Sequence, residues 1–546
     1  LSLHVDVGPD DTFFWFTTTG WMMWNLLVGG LLTGSTIVLY DGSPAHPDPL
    51  ALWRMAADVR ITHFGVSAAF LTGIGSDGKR RWDDDRFRVH FAYSSWQGEG
   101  QWRHMSPEDA GLYKTYNHHS QTSVRLRSVG TWSTAKYYPL LLLEDTELHR
   151  THFFEVLVGG TGWQIELCAR GHREDSTLCV FLGAACEGND GWTLTLAPGE
   201  RYTTCPALYG CVEGGFEEAV AALTGAKRAL ALRRLPGGVP PLCFNDYMNC
   251  LWALPTREKL IPLMDAAARV GAEYFVIDAG WFRTSGNWSA DMGDWEPWDE
   301  LFGEGGVQGI LDEIVARGMK PGVWLEIESV GISSAFAKAH PEALLYRHGH
   351  VIGKDRCFMD FRNPAVRAHI RGVFDRLYRM GVRYVKNDYN QSVGVGIDTH
   401  GAPDRNGALA LGDHAAAVLS LVDEICTAYP DFIIESCCSG AMRSDFGAVR
   451  HFYLQSSSDQ EDYLRTPSVI TGLSACLPPE RVGELRPLTR ELRARGLALS
   501  ARDALEDLLT AIAKTPSGGR IHIVAHSMGT LLTLETLRML RASGVR

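Results

Sequence analysis

Six short apolar segments recur between residues 240 and 473, with helical patterns between them. They are residues 242–247, 274–279, 321–326, 384–389, 432–437 and 452–457. Each has the length and the β-branched or aromatic content of a buried strand. Helical patterns occupy segments such as 257–270 and 364–380, and the second begins at Asn363-Pro364, a capping residue followed by proline at the first helical position. This alternation predicts a parallel sheet in the form of a (β/α) barrel, of which six strands can be identified.

Acidic side chains follow the predicted strands where each strand ends. They are Asp278, Glu326, Asp388, Glu435 and Asp459. A single Asp in such a place is commonly a turn or a helix cap. A barrel, however, brings the carboxyl ends of its strands to one rim, where acids from different strands can act together. Two carboxyl groups that share nucleophilic and acid/base work are the basis of glycoside hydrolysis.

The composition changes along the 546 residues and divides the chain into four regions. Residues 1–75 are apolar and Gly-rich, 80–235 are strand-rich, 240–473 alternate, and 485–546 are rich in Arg, Leu and Ala. The predicted fold class is therefore α/β plus β: an incomplete (β/α)8 barrel of the TIM type, preceded by a strand-rich domain, with α/β fragments at both ends. The uncharged segment 12–40 has the length of a membrane span. Its Gly residues and β-branched end favour a buried helix followed by a buried strand instead.

Charge and cysteine usage argue against several classes of partner. A net charge of -12 gives no basic surface for a nucleic acid. The twelve Cys residues form no CxxC pair, which favours reduced thiols. No basic segment followed by an apolar one opens the sequence, so we expect a cytoplasmic protein without a membrane anchor. The His pairs at 118–119 and 348–350 lack a third ligand, and we expect no metal.

Sequence motifs between residues 92 and 473 occur in the order found in one enzyme family. They are WQGEGQW at 96–102, SVGTWS at 128–133, DAGWF at 278–282, WLEIE at 324–328, KNDYN at 386–390, residues 435–443 and Ser458-Asp459. This part of the chain resembles glycoside hydrolase family 36, the α-galactosidases and α-N-acetylgalactosaminidases. The resemblance implies a β-sandwich followed by a catalytic barrel. It also implies a terminal α-galactoside of an oligosaccharide as substrate, no cofactor, and compatibility with a homo-oligomer.

The same resemblance assigns roles to individual residues. Asp388 would be the nucleophile and Asp459 the general acid/base of a retaining double displacement, with the two carboxyl groups about 5–5.5 Å apart. Residues implied in substrate binding are Asp278, Trp281, Trp324, Lys386, Asn390, Cys437, Gly440 and Arg443. Lys386 lies two positions before Asp388 and so points to the same side of a strand. Its ammonium group is expected to keep Asp388 ionised.

Two flanking regions resemble other enzymes. Residues 1–75 resemble part of an acetoacetyl-CoA synthetase, through FFWFTTTGWMMWN at 13–25, YDGSP at 40–44 and THFG at 62–65, but contain no phosphate-binding loop. Residues 485–546 resemble an α/β-hydrolase, through IHIVAHSMG at 521–529, but no Asp or His follows Ser527 to complete a triad. The alternatives to an α-galactosidase are therefore an inactive composite of three fragments, an acyl-CoA ligase, or a serine esterase.

Overall fold

The computed structural model describes residues 7–483, except 21, 45, 47–50, 66–85, 113–121, 171–176, 186–191, 236–237, 239, 399–406 and 463–464. The chain divides into two compact units. The first is Leu1–Arg86 with Lys114–Thr122 and Arg170–Thr177, and the second is the remainder.

The secondary structure follows the chain in this order. The helices are α1 Met22–Gly29, α2 Ala51–Val59, α3 Phe216–Leu230, α4 Arg257–Arg269, α5 Trp288–Asp291, α6 Asp299–Phe302, α7 Gly306–Ala316, α8 Ala335–Ala339, α9 Pro364–Arg379, α10 Gly407–Ala428, α11 Phe446–Val449 and α12 Thr466–Cys476. The strands are β1 Thr12–Trp15, β2 Thr36–Val38, β3 His63–Gly65, β4 Phe87–Ser95, β5 Gly98–Met105, β6 Thr122–Ser128, β7 Tyr137–Asp145, β8 Arg150–Val156, β9 Trp163–Arg170, β10 Thr177–Ala184, β11 Ala207–Glu213, β12 Cys243–Asn245, β13 Tyr274–Ile277, β14 Lys320–Leu325, β15 Ser329–Gly331, β16 Tyr346–Arg347, β17 His350–Val351, β18 Arg356–Phe358, β19 Tyr384–Asn387, β20 Ile433–Ser436 and β21 Leu454–Gln455.

The first unit contains a small parallel sheet in the order β2-β1-β3. This α/β arrangement agrees with the class predicted for residues 1–75. The expected helix followed by a strand is present as α1 and β2, but their expected burial is wrong, because Leu27 is the one buried residue of α1 and β2 is exposed or half-buried. Met22 is 68% exposed, and Leu32 in the turn after α1 is 92% exposed. One helical face is too narrow to bury every side chain of so apolar a segment.

The strand-rich region of the second unit forms two sheets. Strands β11-β8-β7-β4-β5 form an antiparallel sheet of five, and β10-β9-β6 form a sheet of three. One face of the larger sheet packs against α3, a helix that the sequence analysis did not predict, and against α12. Buried side chains at this contact are Trp102, Leu140, Phe153, Phe216, Leu223 and Leu473.

The alternating region forms one parallel sheet in the order β12-β13-β14-β19-β20-β21. All six predicted strands are present, in sequence order, as an open part of a barrel. The connecting helix α9 shows why the pattern was readable. Asn363 accepts a hydrogen bond from the Ala365 amide at 2.9 Å, and Pro364 occupies the first turn. Val366, Ile370 and Leu377 recur at helical spacing and are buried against the sheet.

The strand–helix pattern continues past residue 473, where the sequence analysis ended it. After α12 the chain returns to the sheet edge, where Val482 forms a parallel bridge with Gln455. The Gly483 amide donates to the Gln455 carbonyl at 3.0 Å. Residues 482–483 thus occupy the position of a seventh strand, so the predicted end of the barrel was about ten residues too early. Ser527 and the region 485–546 lie outside the described residues.

Candidate active site

The predicted site residues gather at the carboxyl end of the six-stranded sheet. Asp278 follows β13 and Asp388 follows β19. Two backbone bonds extend the sheet at this edge: the Asp388 amide donates to the Leu325 carbonyl at 2.7 Å, and the Cys437 amide donates to the Asn387 carbonyl at 2.8 Å. Parallel strands present their carboxyl ends together, which is why acids distant in sequence meet here.

Asp388 is buried and receives several hydrogen bonds. Its Oδ2 accepts from the Trp324 indole at 3.1 Å, and its Oδ1 accepts from the amides of Tyr389 at 2.8 Å and Ser439 at 3.1 Å. Burial raises the pKa of Asp388, but the positive charge of Lys386 and the donated hydrogen bonds outweigh it and hold the pKa below its usual value. Asp388 is therefore an ionised carboxylate near neutral pH.

Asp459 lies in a different environment. Its Oδ2 accepts a hydrogen bond at 3.0 Å from the indole of Trp96, which is in the turn between β4 and β5. Burial and the negative charge of Asp388 raise the pKa of Asp459 above its usual value. Asp459 therefore keeps its proton to a higher pH than an ordinary Asp, whereas Asp388 loses its proton at a lower pH.

Lys386 is bound by Asp278 rather than by Asp388. Its Nζ donates to Asp278 Oδ2 at 3.0 Å, and the Asn245 side chain donates to the same oxygen at 2.7 Å. The Asp278 amide in turn donates to Asp246 Oδ1 at 2.8 Å. An ordered group of charges thus lies beside Asp388, on strands β12, β13 and β19.

Asn390 is fixed by two side chains and also bonds Asp388. Its side chain donates to Glu326 Oε2 at 3.0 Å and accepts from the Ser439 hydroxyl at 2.7 Å. Glu326 also pairs with Arg356 at 3.0 Å, so its charge is balanced within the protein. Asn390 is therefore held in one orientation next to Asp388.

The remaining predicted residues occupy three kinds of position. The Cys437 thiol donates to the Asp388 carboxylate, and burial raises its own pKa well above the usual value. The Arg443 guanidinium donates to Glu328 at 2.6 Å and lies 4.2 Å over the Tyr389 ring. Trp281 is fully buried and donates to the Trp324 carbonyl at 2.9 Å, so it supports the pocket from behind.

Gly440 lies where the chain passes closest to the Asp459 segment. Its φ is +77°, and a Cβ there would lie 2.7 Å from Ser458 Cα and 2.9 Å from the Asp459 amide. Any side chain would push the two segments apart, so this position requires glycine.

The sequence analysis missed two buried acids at the site. Asp246 follows β12, and burial raises its pKa to about 7. Glu99, in β5, is fully buried and accepts a hydrogen bond from the Ser458 hydroxyl at 2.6 Å. Asp246 could have been found, because it follows a predicted strand as Asp278 does. Glu99 lies within the motif at 96–102, but nothing in that motif indicates that it contacts the barrel.

This part of the chain is similar to a known family model and to solved structures. Residues 227–495 match the Melibiase family model. A solved GH36 α-galactosidase, an AgaA variant from Geobacillus stearothermophilus in complex with stachyose, aligns with a TM-score of 0.62 at 19% identity, over 72% of this chain and 53% of that one. The galactosidase domain of AgaSK aligns with a TM-score of 0.60 at 20% identity. The matched region has the GH36 α-galactosidase fold.

Curated relatives of this GH36-like region are also α-galactosidases. Mel36A of Lactobacillus acidophilus is 28% identical over 300 residues, which is 53% of this chain and 40% of the relative. α-Galactosidase 1 of Pediococcus pentosaceus is 28% identical over 241 residues, which is 44% of this chain and 32% of the relative. The chain thus spans 32–40% of the length of these relatives.

A second family model matches near the end of the chain. Residues 494–545 match an α/β-hydrolase family of unknown function, in agreement with the resemblance noted for residues 485–546. The resemblance of residues 1–75 to an acetoacetyl-CoA synthetase stays a prediction.

Metal binding and membrane insertion can be examined only in the described part of the chain. There, no three His, Cys, Asp or Glu side chains are arranged to hold a metal ion. Within the same residues, every helix is too short or too polar to span a bilayer.

Proposed function

We propose that this protein is a retaining glycoside hydrolase of family 36 that cleaves terminal α-galactosides, with Asp388 as nucleophile and Asp459 as general acid/base. One observation carries the proposal. Two carboxyl groups at one edge of the sheet have pKa shifts of opposite sign, and their environments explain both shifts. A retaining glycosidase needs this pairing of an ionised and a protonated carboxyl group.

The reaction follows from these two protonation states. Asp388 attacks the anomeric carbon and forms a C–O bond while the glycosidic C–O bond breaks. Asp459 gives its proton to the departing oxygen. Asp459, now a carboxylate, takes a proton from water, and the water oxygen displaces Asp388 from the anomeric carbon. The product has the same anomeric configuration as the substrate.

The sugar is held by polar groups around Asp388. Asp278 with Lys386 offers an ion pair to hydroxyl groups on one side, and Asn390 with Cys437 offers neutral donors and acceptors on the other. Gly440 leaves room for the chain to pass, and Trp324 and Trp281 form the wall behind. The Arg443 guanidinium is bonded to Glu328, so its part in sugar binding is to hold the neighbouring side chains in place. The names of the relatives and the stachyose bound in the AgaA variant favour an α-galactosyl oligosaccharide as substrate.

We also infer the extent of the regions around this site. The strand-rich region is 80–235, and the catalytic barrel runs from 240 to Gly483 in the described residues, between fragments at 1–75 and 485–546. Cysteines at eleven described positions are all free thiols, which supports a cytoplasmic setting. We propose further that the active form is a homo-oligomer.

The test is turnover of p-nitrophenyl α-galactoside by the full chain. We expect measurable hydrolysis, abolished in Asp388→Asn and unaffected in Asp375→Asn, where the substituted acid bonds Tyr429 on the outside of the barrel at 2.7 Å. NMR should show the α-anomer of galactose as the first product. A chain that melts cooperatively but does not hydrolyse the substrate would support the inactive composite instead.

A further inference from the structure

The barrel fixes the start of the segment that carries Asp459, where the Ser456 amide donates to the Ser436 carbonyl at 2.8 Å, but Asp459 lies farther from its strand than Asp388 does. Strand β19 ends at Asn387, directly before Asp388, so the sheet positions that residue. Strand β21 ends at Gln455, four residues before Asp459. We name residues 456–460 the acid/base loop. Its side chains need an anchor outside their own strand.

The turn between β4 and β5 provides that anchor. The Ser458 hydroxyl donates to Glu99 Oε2 at 2.6 Å, the Trp96 indole donates to Asp459 at 3.0 Å, and the Gln460 side chain donates to the Gln97 carbonyl at 2.7 Å. Three successive residues of the acid/base loop thus bond to this turn or to Glu99 at the start of β5.

The Glu99 carboxyl group joins the turn to the acid/base loop, because it accepts a hydrogen bond from each. Its Oε1 accepts from the Gln97 amide at 3.2 Å, while its Oε2 accepts from Ser458. Gln97 has a φ of +63°, an uncommon conformation for a residue with a side chain, so the turn benefits from this bond. Glu99 is 0% exposed, which removes competing water.

The same strand is fastened to the barrel on its other side. The Trp102 indole donates to the Gly472 carbonyl of α12 at 3.0 Å. Gly100 and Gly472 approach so closely that a Cβ on Gly472 would overlap the Gly100 carbonyl. Strand β5 is therefore held against α12. Glu99, which belongs to this strand, in turn holds the acid/base loop through Ser458.

We propose that Glu99 is a positioning residue for the general acid/base: through Ser458, its carboxyl group holds Asp459 in reach of the leaving-group oxygen. This inference rests on the proposed function, because it requires Asp459 to be the proton donor. Burial raises the pKa of Glu99 to about 7, and the negative charge of Asp459 adds to the shift. Glu99 is therefore largely protonated below neutral pH, and a neutral amide should replace it well there.

Leaving-group dependence separates positioning of the acid from general structural support. Cleavage of a disaccharide with a terminal α-galactose needs proton donation, whereas p-nitrophenolate leaves with little help. We expect Glu99→Ala to lower kcat/KM for the disaccharide by about tenfold or more, a part of the ~10²–10⁴-fold that acid catalysis contributes. The p-nitrophenyl substrate should lose less than about threefold by the same argument. Glu99→Gln at pH 6 should restore part of the disaccharide activity, since its amide oxygen still accepts from Ser458, while its NH2 group cannot accept from the Gln97 amide.

Two comparison variants define the outcomes. Asp459→Ala should show the same leaving-group pattern more strongly, and Glu155→Gln, which alters a buried acid of the same sheet paired with Lys227, should change both substrates equally. If Glu99→Ala is insoluble, Ser458→Ala breaks the same bond from the other side and decides the question.

The proposal is overturned if Glu99→Ala, or Ser458→Ala in its place, changes both substrates by the same factor while Asp459→Ala discriminates between them. If Asp459→Ala itself does not discriminate, the assigned acid/base is wrong, and the proposed function fails together with this inference.

Discussion

Asp388 and Asp459 have identical side chains, and their surroundings give them different chemistry. Asp388 is next to a lysine and receives hydrogen bonds from Trp324 and two backbone amides, which favour its charged form. Asp459 receives one hydrogen bond from Trp96, and its burial and the negative charge of Asp388 raise its pKa. The proposed division into nucleophile and acid therefore depends on the neighbouring groups.

Replacing Trp324 by Phe tests the hydrogen bond to the nucleophile. A hydrogen bond to a charged group contributes about 1.5–3 kcal/mol, so we expect kcat/KM to fall about 10- to 150-fold. Loss of a donor to the carboxylate raises the pKa of Asp388, so the acidic limb of the pH–kcat/KM profile should move to higher pH.

A neighbouring tryptophan provides the control. Trp295 lies 5.8 Å from Trp324 between ring centroids, is buried, and its indole nitrogen has no hydrogen-bond partner among the described residues. Trp295→Phe removes the same atoms without removing a hydrogen bond. Equal losses in the two variants, with no shift of the acidic limb, would show that packing rather than the hydrogen bond is responsible.

At the residue scale, sequence pattern predicted those site residues that follow a strand directly. Asp278 and Asp388 were readable because a buried strand ends immediately before each. The partner of Lys386 was not readable: its ammonium group bonds Asp278, on a different strand, and register decides that pairing. Glu99 could not be assigned a role because its partner, Ser458, is 359 residues away in sequence.

At the scale of elements, one buried ion pair fastens α3 to the five-stranded sheet. Lys227 Nζ lies 2.7 Å from Glu155 Oε2, and their side chains are 1% and 0% exposed. Burial raises the pKa of Glu155, and the charge of Lys227 opposes that shift. Because both side chains are buried, water cannot solvate either charge if the other is removed.

Lys227→Met is therefore expected to lower the stability of the second unit by about 3–5 kcal/mol, because it leaves Glu155 buried and unpaired. Thermal unfolding at neutral pH measures the loss. The double variant Lys227→Met/Glu155→Leu should recover most of it, since no charge is then left in the core. A single variant as stable as the parent protein would contradict the importance of this pair.

The elements themselves were predictable to different degrees. The six parallel strands were confirmed because their apolar segments are buried on both faces and have clear breaks. Helix α3 was missed, since Lys227 interrupts its buried apolar face. The helix and strand expected in residues 12–40 are more exposed than predicted, because hydropathy alone does not show which face is covered. Residues 482–483 were not predicted as a strand, because two residues are too few to form a recognisable sequence pattern.

At the scale of the molecule, the site combines two sheets. The six-stranded sheet supplies Asp388 and its partners, and the five-stranded sheet supplies Trp96 and Glu99 against the acid/base loop. The second unit therefore functions as one body, and its pH dependence should reflect carboxyl groups from both sheets.

The pH profile of kcat/KM is expected to be bell-shaped. Activity requires ionised Asp388, whose pKa is lowered, and protonated Asp459, whose pKa is raised. Activity should fall at acidic pH as Asp388 gains a proton, and at higher pH as Asp459 loses its own. Asp459→Ala assayed with p-nitrophenyl α-galactoside should lose the alkaline limb and keep the acidic one. An unchanged alkaline limb in that variant would assign it to another group.

Covalent trapping of the nucleophile tests the central claim most directly. A fluorinated α-galactosyl fluoride forms the glycosyl-enzyme quickly and releases it slowly, so the full chain can be labelled, digested and sequenced by mass spectrometry. The account predicts one galactosyl adduct, on the peptide that contains Asp388, and none in Asp388→Asn. A label on a different carboxyl group, or folded protein that acquires no label, would contradict it.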